Sequence, residues 1–417
     1  MTRYFISVCL LGWALSGCGT GGVGAPSSQN QPIQQRTPVK VEPQIVDANL
    51  RFGLRLLNEL DANRETPNLF FSPLSAGIAL SMVLNGAGGE THTEIARTLG
   101  YTNLNQQTLN AENEGLIQLL RSPDPEATVD LANGLWVQNG LNLRLEFVRT
   151  LQSHFNAVAQ TVEFGADPEG SATQINGWVK EQTRGMIDRL FQPNDFDERT
   201  RAVLVNTLYF KGKWQSPFNK EATQDEDFTL EDGDTKSVPM MRQFGKFPYL
   251  KGQGFQAVGL AYGKGELMFY LFVPDTVQGL SDLRQRLTHE NWKRWMERFR
   301  MTDGDVAMPR FKIDTKFLLN APLAKMGMPS AFDEGRANFE RMAHTPGNRL
   351  FLQKVVQRAV VQVDEEGTEA AAATGVQVGI TSAPVNTFTV RADRPFLFAI
   401  VHQPTGTVLF MGIVREP

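Results

Sequence analysis

Asp364-Glu-Glu-Gly-Thr-Glu-Ala-Ala-Ala-Ala-Thr374 sets one glycine and four alanines among acidic and hydroxyl residues, directly after the strand-like run Lys354 to Val363. Gly375-Val-Gln-Val-Gly-Ile-Thr-Ser-Ala-Pro-Val-Asn386 follows, uncharged, low in bulk and extended in propensity. The pair reads as one long exposed loop, and a loop of that length in a compact domain is usually functional. A helix and linker that merely join two strands is the competing reading.

Working outward, the segments Val129 to Val137, Ala202 to Phe210, Leu267 to Val273, Lys354 to Val363, Phe396 to His402 and Val408 to Val414 are rich in β-branched and aromatic residues and predict strands. Ala76 to Asn85, Glu90 to Leu99 and Gln174 to Arg184 predict helices, the last with Ile175, Trp178 and Val179 as its apolar stripe. Asp47 is expected to cap a helix carrying Leu50, Leu54 and Leu57 on one face. Helices gather early and strands late, an α+β layout. No internal repeat or second low-complexity break interrupts residues 46–417, which are read as one domain.

The amino-terminal end differs in kind. Residues 1–17 hold an early Arg3, a short apolar run and then small residues, the pattern of an export signal. The run from Tyr4 to Leu15 is short of the roughly 20 apolar residues that a membrane-spanning helix needs. Leu15-Ser16-Gly17-Cys18 resembles the lipobox of bacterial lipoproteins, which implies cleavage before Cys18 and a lipid on its thiol; an ordinary secretory signal is the other reading. Residues 18–45, rich in Gly, Ser, Gln and Pro, then form a flexible tether. The expected location is the cell envelope, lipid-anchored and facing periplasm or exterior. Cys9 lies in the segment to be removed, so Cys18 would be the sole mature thiol and no intrachain disulfide is expected.

Composition excludes several classes. Hydrophobic residues at 41% supply a sizeable core and exclude disorder for most of the chain. A net charge of −4 with no Lys/Arg block argues against nucleic acid. Five histidines, with no Gly-x-Ser-x-Gly elbow and no His-Glu-x-x-His run, give a hydrolase little to work with. A serine triad using His154 or His402 stays open, with no feature recommending it. Glu90-Thr-His92-Thr-Glu94 puts its two carboxylates on one helical face and His92 about 200° away, so it reads as a solvated turn and not a ligand set. Gly252-Gln-Gly254 opens a strand and turn, not the helix of a dinucleotide fingerprint. The acidic run Asp225-Glu-Asp227 reads as a solvated loop. No cofactor and no metal are expected.

Over residues 46–417 the sequence resembles the serpins. The resemblance rests on an ordered series: Asn68-Leu-Phe-Phe-Ser-Pro-Leu-Ser75, Asn85-Gly-Ala-Gly-Gly-Glu-Thr91, Asn206-Thr-Leu-Tyr-Phe-Lys-Gly-Lys-Trp214 with Pro217-Phe218, Met308-Pro-Arg-Phe311, Gly327-Met328 with Ala331-Phe-Asp333, Arg394-Pro-Phe396 and Leu409-Phe-Met-Gly412. It implies three β-sheets, about eight to nine helices and an exposed reactive-centre loop. A target protease would attack the loop, form an acyl-enzyme and be carried along as the cut loop inserts into the large sheet. The chain would be an inhibitor, not an enzyme; the alternative is a non-inhibitory member acting as a binding protein at the envelope.

The hinge implied is Glu365, Glu366, Gly367, Thr368, Glu369, Ala370, Ala371, Ala372, Ala373 and Thr374. Gly367 serves as its joint. Insertion as a strand turns alternate side chains inward, and Thr368, Ala370, Ala372 and Thr374 are all small enough to enter. In the family the cut falls at the seventeenth loop residue counted from Glu365, here the bond Thr381-Ser382, with Ile380 as the alternative register. A small uncharged Thr381 favours an elastase-like, subtilisin-like or cysteine protease over a trypsin-like one. Ser72, Ser75 and Asn206 correspond to the family's shutter, Trp214 to its breach, and Arg310 with Glu365 to an ion pair above them. Gln357 stands where many serpins carry a shutter histidine; an amide donates and accepts hydrogen bonds but cannot titrate. Residues 115–128 offer only Arg121 where a glycosaminoglycan helix would be basic, so none is expected to bind. A monomer is expected.

Overall fold

The computed structural model describes residues 41–64, 66–102, 104–120, 124, 126–344, 350–368 and 387–417. Among them are nine α-helices: α1 (Pro43–Asn63), α2 (Pro73–Gly86), α3 (Gly89–Leu99), α4 (Gln106–Leu120), α5 (Leu145–Phe155), α6 (Pro168–Gln182), α7 (Gly279–Arg286), α8 (His289–Arg298) and α9 (Asn320–Met326). The strands are β1 (Leu69–Phe71), β2 (Ala127–Gln138), β3 (Asn142–Leu143), β4 (Val158–Val162), β5 (Ala202–Lys213), β6 (Gln224–Thr229), β7 (Thr235–Lys251), β8 (Phe255–Tyr262), β9 (Leu267–Pro274), β10 (Arg300–Pro309), β11 (Phe311–Leu318), β12 (Ala343–His344), β13 (Lys354–Val363), β14 (Gly367–Thr368), β15 (Thr387–Arg391), β16 (Phe396–His402) and β17 (Thr407–Val414).

They form three sheets among the described residues. One runs β1-β17-β16-β9-β8-β7-β10-β15, with β6 added on β7; the second runs β11-β13-β14-β5-β2-β4; β12 and β3 make a small pair. This is the α+β serpin fold. The second sheet positions the site. Its central strand β5 is buried along nearly its whole length, as a run of Val, Leu and aromatic residues covered on both faces must be. Leu204, Leu208 and Phe210 face the main core, while Val203 and Val205 face a second core. That second core is closed by Ile175 and Val179 of α6 and by Ile187, Leu190, Phe191 and Phe196 of the strap that follows it.

Helix α2 lies under the main-core face and is buried almost all round, the pattern of a helix enclosed by a core. Its start is fixed locally: Ser72 Oγ accepts the Ser75 N–H at 3.0 Å and Pro73 pre-sets the first turn.

Several expectations need correction. Helix α1 begins at Pro43 with Glu42 as its N-cap residue, so Pro43 to Ile45, read as tether, are helical, and Ile45 is fully buried. A proline at the first turn starts a helix as well as a capping side chain does. Asp47 is therefore inside α1, where its carboxylate meets His289 at 3.1 Å and Lys293 at 3.3 Å. Helix α6 starts at Pro168, with Asp167 Oδ1 accepting the Gly170 N–H, six residues before the apolar stripe suggested. Asp225 to Asp227 lie in β6, not in a loop, because Glu226 is drawn in by Arg242 and Arg391. Glu90 and Glu94 do share a face, both reaching Arg336, but Glu94 is buried and accepts the Ser330 N–H at 2.9 Å. Gly252 and Gly254 form the turn of the β7–β8 hairpin. Residues 1–40, Cys18 included, and Arg121 lie outside the described residues.

Candidate functional site: hinge, breach and shutter

Two residues of the loop already stand inside the second sheet. Gly367 pairs with Lys213 and Thr368 with Gly212 of β5, while Thr368 pairs on its other side with Val363 of β13; both pairings are antiparallel. Below them β13 and β5 pair directly and in parallel, from Lys354 opposite Val203 to Val360 opposite Tyr209. The sheet is closed along its lower part and parted at its top by β14.

Gly367 is required there by sterics. Its φ is +150°, and a Cβ would lie 2.0 Å from the Gly212 carbonyl oxygen. Thr368 is fully buried, its hydroxyl 2.7 Å from that of Tyr262. Burial pushes the Tyr262 phenol far above its ordinary range, so it remains a neutral hydrogen-bonding group. Tyr262 stacks on Trp214 with ring centroids 4.3 Å apart. Trp214 in turn donates from Nε1 to the Asp364 carbonyl at 2.8 Å and from its backbone N–H to the Glu366 carbonyl at 2.9 Å. The breach tryptophan thus grips the base of the hinge by side chain and backbone together.

Charge completes the grip. Arg310 donates from Nε and Nη2 to the Glu365 carboxylate at 2.7 and 2.5 Å, and Thr223 Oγ1 donates to the same group. Burial alone would raise the Glu365 carboxyl; the bonds from Arg310 and Thr223 outweigh it and hold it below the usual glutamate range. Lys220 pairs with Glu366. Asp364 accepts the Glu366 and Gly367 N–H groups at 2.9 and 3.2 Å, and burial, reinforced by Glu365 and Glu366, pushes its carboxyl up.

Some 20 Å further down the same strands, taking about 3.3 Å per residue, lies the shutter. Gln357, fully buried on β13, accepts the Ser72 N–H at 3.0 Å and donates to the Ser72 carbonyl at 3.0 Å and to Asn206 Oδ1 at 2.6 Å. Asn206 donates to Asn133 Oδ1 at 2.7 Å and to Ser75 Oγ. Ser72 Oγ donates to the Leu409 carbonyl at 2.6 Å. One amide therefore ties β13 both to the start of α2 and to β5, with no titrating group between them.

The expected residues Ser72, Ser75, Asn206, Trp214, Arg310, Gln357, Glu365, Glu366, Gly367 and Thr368 come together along one seam. Glu369, Ala370, Ala371, Ala372, Ala373, Thr374, Thr381 and Ser382 lie outside the described residues. Sequence reasoning missed Tyr262, Thr223, Lys220 and Asn133, whose roles come only from partners far along the chain. His154 faces Glu114, and His402 is buried beside Thr405, its pKa lowered to about 4 by burial; neither bonds a serine among the described residues. No His, Cys, Asp or Glu group that could hold a metal occurs among the described residues.

A family model described as Serpin (serine protease inhibitor) matches residues 47–417. Leukocyte elastase inhibitor A of Rattus norvegicus is 36% identical over 389 residues, covering 90% of this chain and 100% of that protein. The Homo sapiens leukocyte elastase inhibitor is 35% identical over 391 residues, with the same coverage. Among solved structures, the thermophilic serpin tengpin in its native state matches with a TM-score of 0.84 at 25% identity, covering 91% of this chain and 95% of that one. Human thyroxine-binding globulin matches with a TM-score of 0.82 at 27% identity, covering 89% and 98%. The chain belongs to the serpin family of serine protease inhibitors and is not an enzyme.

Proposed function

We propose that the chain is a suicide-substrate inhibitor that traps a serine endopeptidase as an acyl-enzyme while its cleaved loop inserts between β13 and β5. The observation that carries this reading is β14, since Gly367 and Thr368 already occupy that position. Continuing their register residue by residue sets Thr374 opposite both Asn206 and Gln357, and Val378 opposite Ala202, where β5 begins. The loop is thus long enough to fill the strand position from end to end. In the same register Thr381 lies just beyond the lower end of the sheet, so a protease esterified there would stand clear of the strands.

Thr381-Ser382 is the proposed scissile bond. An elastase-like target is favoured by the small Thr381 and by the relatives named as elastase inhibitors. Incubation with a panel of elastase-like, subtilisin-like, trypsin-like and cysteine proteases should give a complex stable to denaturing detergent with a member of the first group. Mass spectrometry of the released peptide should show Ser382 at its amino terminus. Cleavage with no stable complex for any protease would refute the inhibitory reading.

The tether reading adds a place of action: Cys18 carries lipid and displays the bait at a bacterial envelope. The full-length chain should then partition into the detergent phase, and a Cys18→Ser chain should not; equal partition of both would remove the anchor.

A further inference from the structure

The strap of residues 183–201 crosses the outer face of the second sheet and is bonded to both of its halves. Through α6 it belongs to the β2 side, where Trp178 packs edge-on against Trp136 at 4.9 Å. On the far side Lys316 of β11 donates to the Leu190 carbonyl, and Arg358 of β13 donates to the Arg189 carbonyl. A strand entering between β13 and β5 widens the sheet by about 4.8 Å, so these two attachments must shear.

Beneath the strap is a cleft of about 310 Å³ lined by Arg189, Leu190, Gln192, Asn194, Asp195 and Lys316. Lys316 reaches it from β11 with its ammonium 5.2 Å from the Phe191 ring centre. An ammonium has three donors, and among the described residues only one is used, on Leu190. Arg189 is exposed and its guanidinium makes no bond among the described residues. Lys354 and Arg358 add positive charge nearby.

The neighbouring carboxylates are engaged elsewhere. Asp314 holds Arg358 at 2.6 Å, Asp188 holds Lys180 at 2.9 Å, and Asp195 accepts the Gln192 N–H at 2.8 Å with Lys354 at 4.0 Å. Burial, opposed by Asp195 and reinforced by Lys354 and Arg358, pushes the Lys316 ammonium below its ordinary range. The cleft therefore holds more cationic donors than anions to satisfy them.

We infer that this cleft is a binding site for a small oxyanion of the phosphate type, held between Arg189 and Lys316, and that the bound anion clamps the strap against widening of the sheet. The binding stands on the cleft alone; the clamp rests on the inhibitory reading above. Arg189→Gln is the variant of choice because that side chain has no other partner among the described residues whose loss could unfold the chain, and Lys316→Met, which keeps the stem, is the second.

Wild type and each variant would be melted in inorganic phosphate and in sodium chloride of matched ionic strength. At ten times its Kd, phosphate should raise the wild-type Tm by about 2 °C over chloride, with the rise lost in both variants. An equal rise in wild type and variants, or none in wild type, overturns the site. That arm uses no protease, so it holds or fails apart from the inhibitory reading. In the second arm, saturating phosphate should raise the fraction of inhibitor released as cleaved product at least about twofold, as slower insertion leaves more time for hydrolysis. An unchanged fraction overturns the clamp.

Discussion

Thr368→Arg is expected to turn the inhibitor into a substrate, cutting the yield of detergent-stable complex by at least about tenfold, since each 1.4 kcal/mol added to the insertion barrier slows it by that factor. Thr368 has no exposed surface and points at the Tyr262 hydroxyl between β13 and β5. A guanidinium buried there would cost several kcal/mol, so the hinge of the intact chain would be driven out of the sheet and insertion after cleavage would have to carry that cost. Cleavage would proceed and hydrolysis of the acyl-enzyme would win. Ala372→Glu, on the same face of the inserted strand, should act likewise. Glu369→Arg, which the alternation turns outward, should retain the wild-type yield. Complex formation by Thr368→Arg at wild-type yield, read on a denaturing gel, would sink the insertion mechanism.

Gln357→Leu is the second large effect. Leucine keeps most of the volume but strands the Ser72 N–H and Asn206 Oδ1 without their partner, and leaves the Ser72 carbonyl with the Ala76 N–H alone. The two groups left unpaired and buried cost together about 2–5 kcal/mol, or roughly 3–6 °C in Tm. The same change should ease opening, because the Gln357–Asn206 bond is one that an entering strand has to break. In the extended register Thr374 arrives between those two amides, and its hydroxyl can both donate and accept there. The Gln357→Leu chain should therefore lose more thermal stability in its intact form than in its loop-cleaved form, where Thr374 can take over the bond to Asn206. Equal losses in both forms would contradict this assignment of the shutter.

The seam was legible in the sequence wherever a local pattern marks it. Gly367 with the following small residues, Met308-Pro-Arg-Phe311, and Asn206 with Trp214 each sit in a motif that also fixes the residue's place on a strand. The strands themselves were legible because β16 and β17 are buried on both faces and read as apolar runs, while β5 and β13 are rich in β-branched and apolar residues interrupted only at a few positions such as Asn206 and Gln357.

What stayed hidden depends on partners distant in sequence. Tyr262 ends β8 in no motif, and only the fold brings it to Thr368. Glu226 becomes part of a strand through Arg391, 165 residues away. The start of α1 was misplaced because Pro43 carries no side-chain cap and resembles the prolines of the tether before it. The partial entry of the hinge could not be read at all, since it depends on how far the tops of β13 and β5 stand apart.

The central claim is that the loop can become a full strand between β13 and β5. Its most direct test is the melting temperature of the chain before and after a single cut within residues 369–386. Insertion down to Val378 would add about ten net ladder hydrogen bonds at roughly 1 kcal/mol each, so the cleaved form should melt about 10–15 °C above the intact one. A cleaved form that melts at the same temperature as the intact chain would contradict the claim.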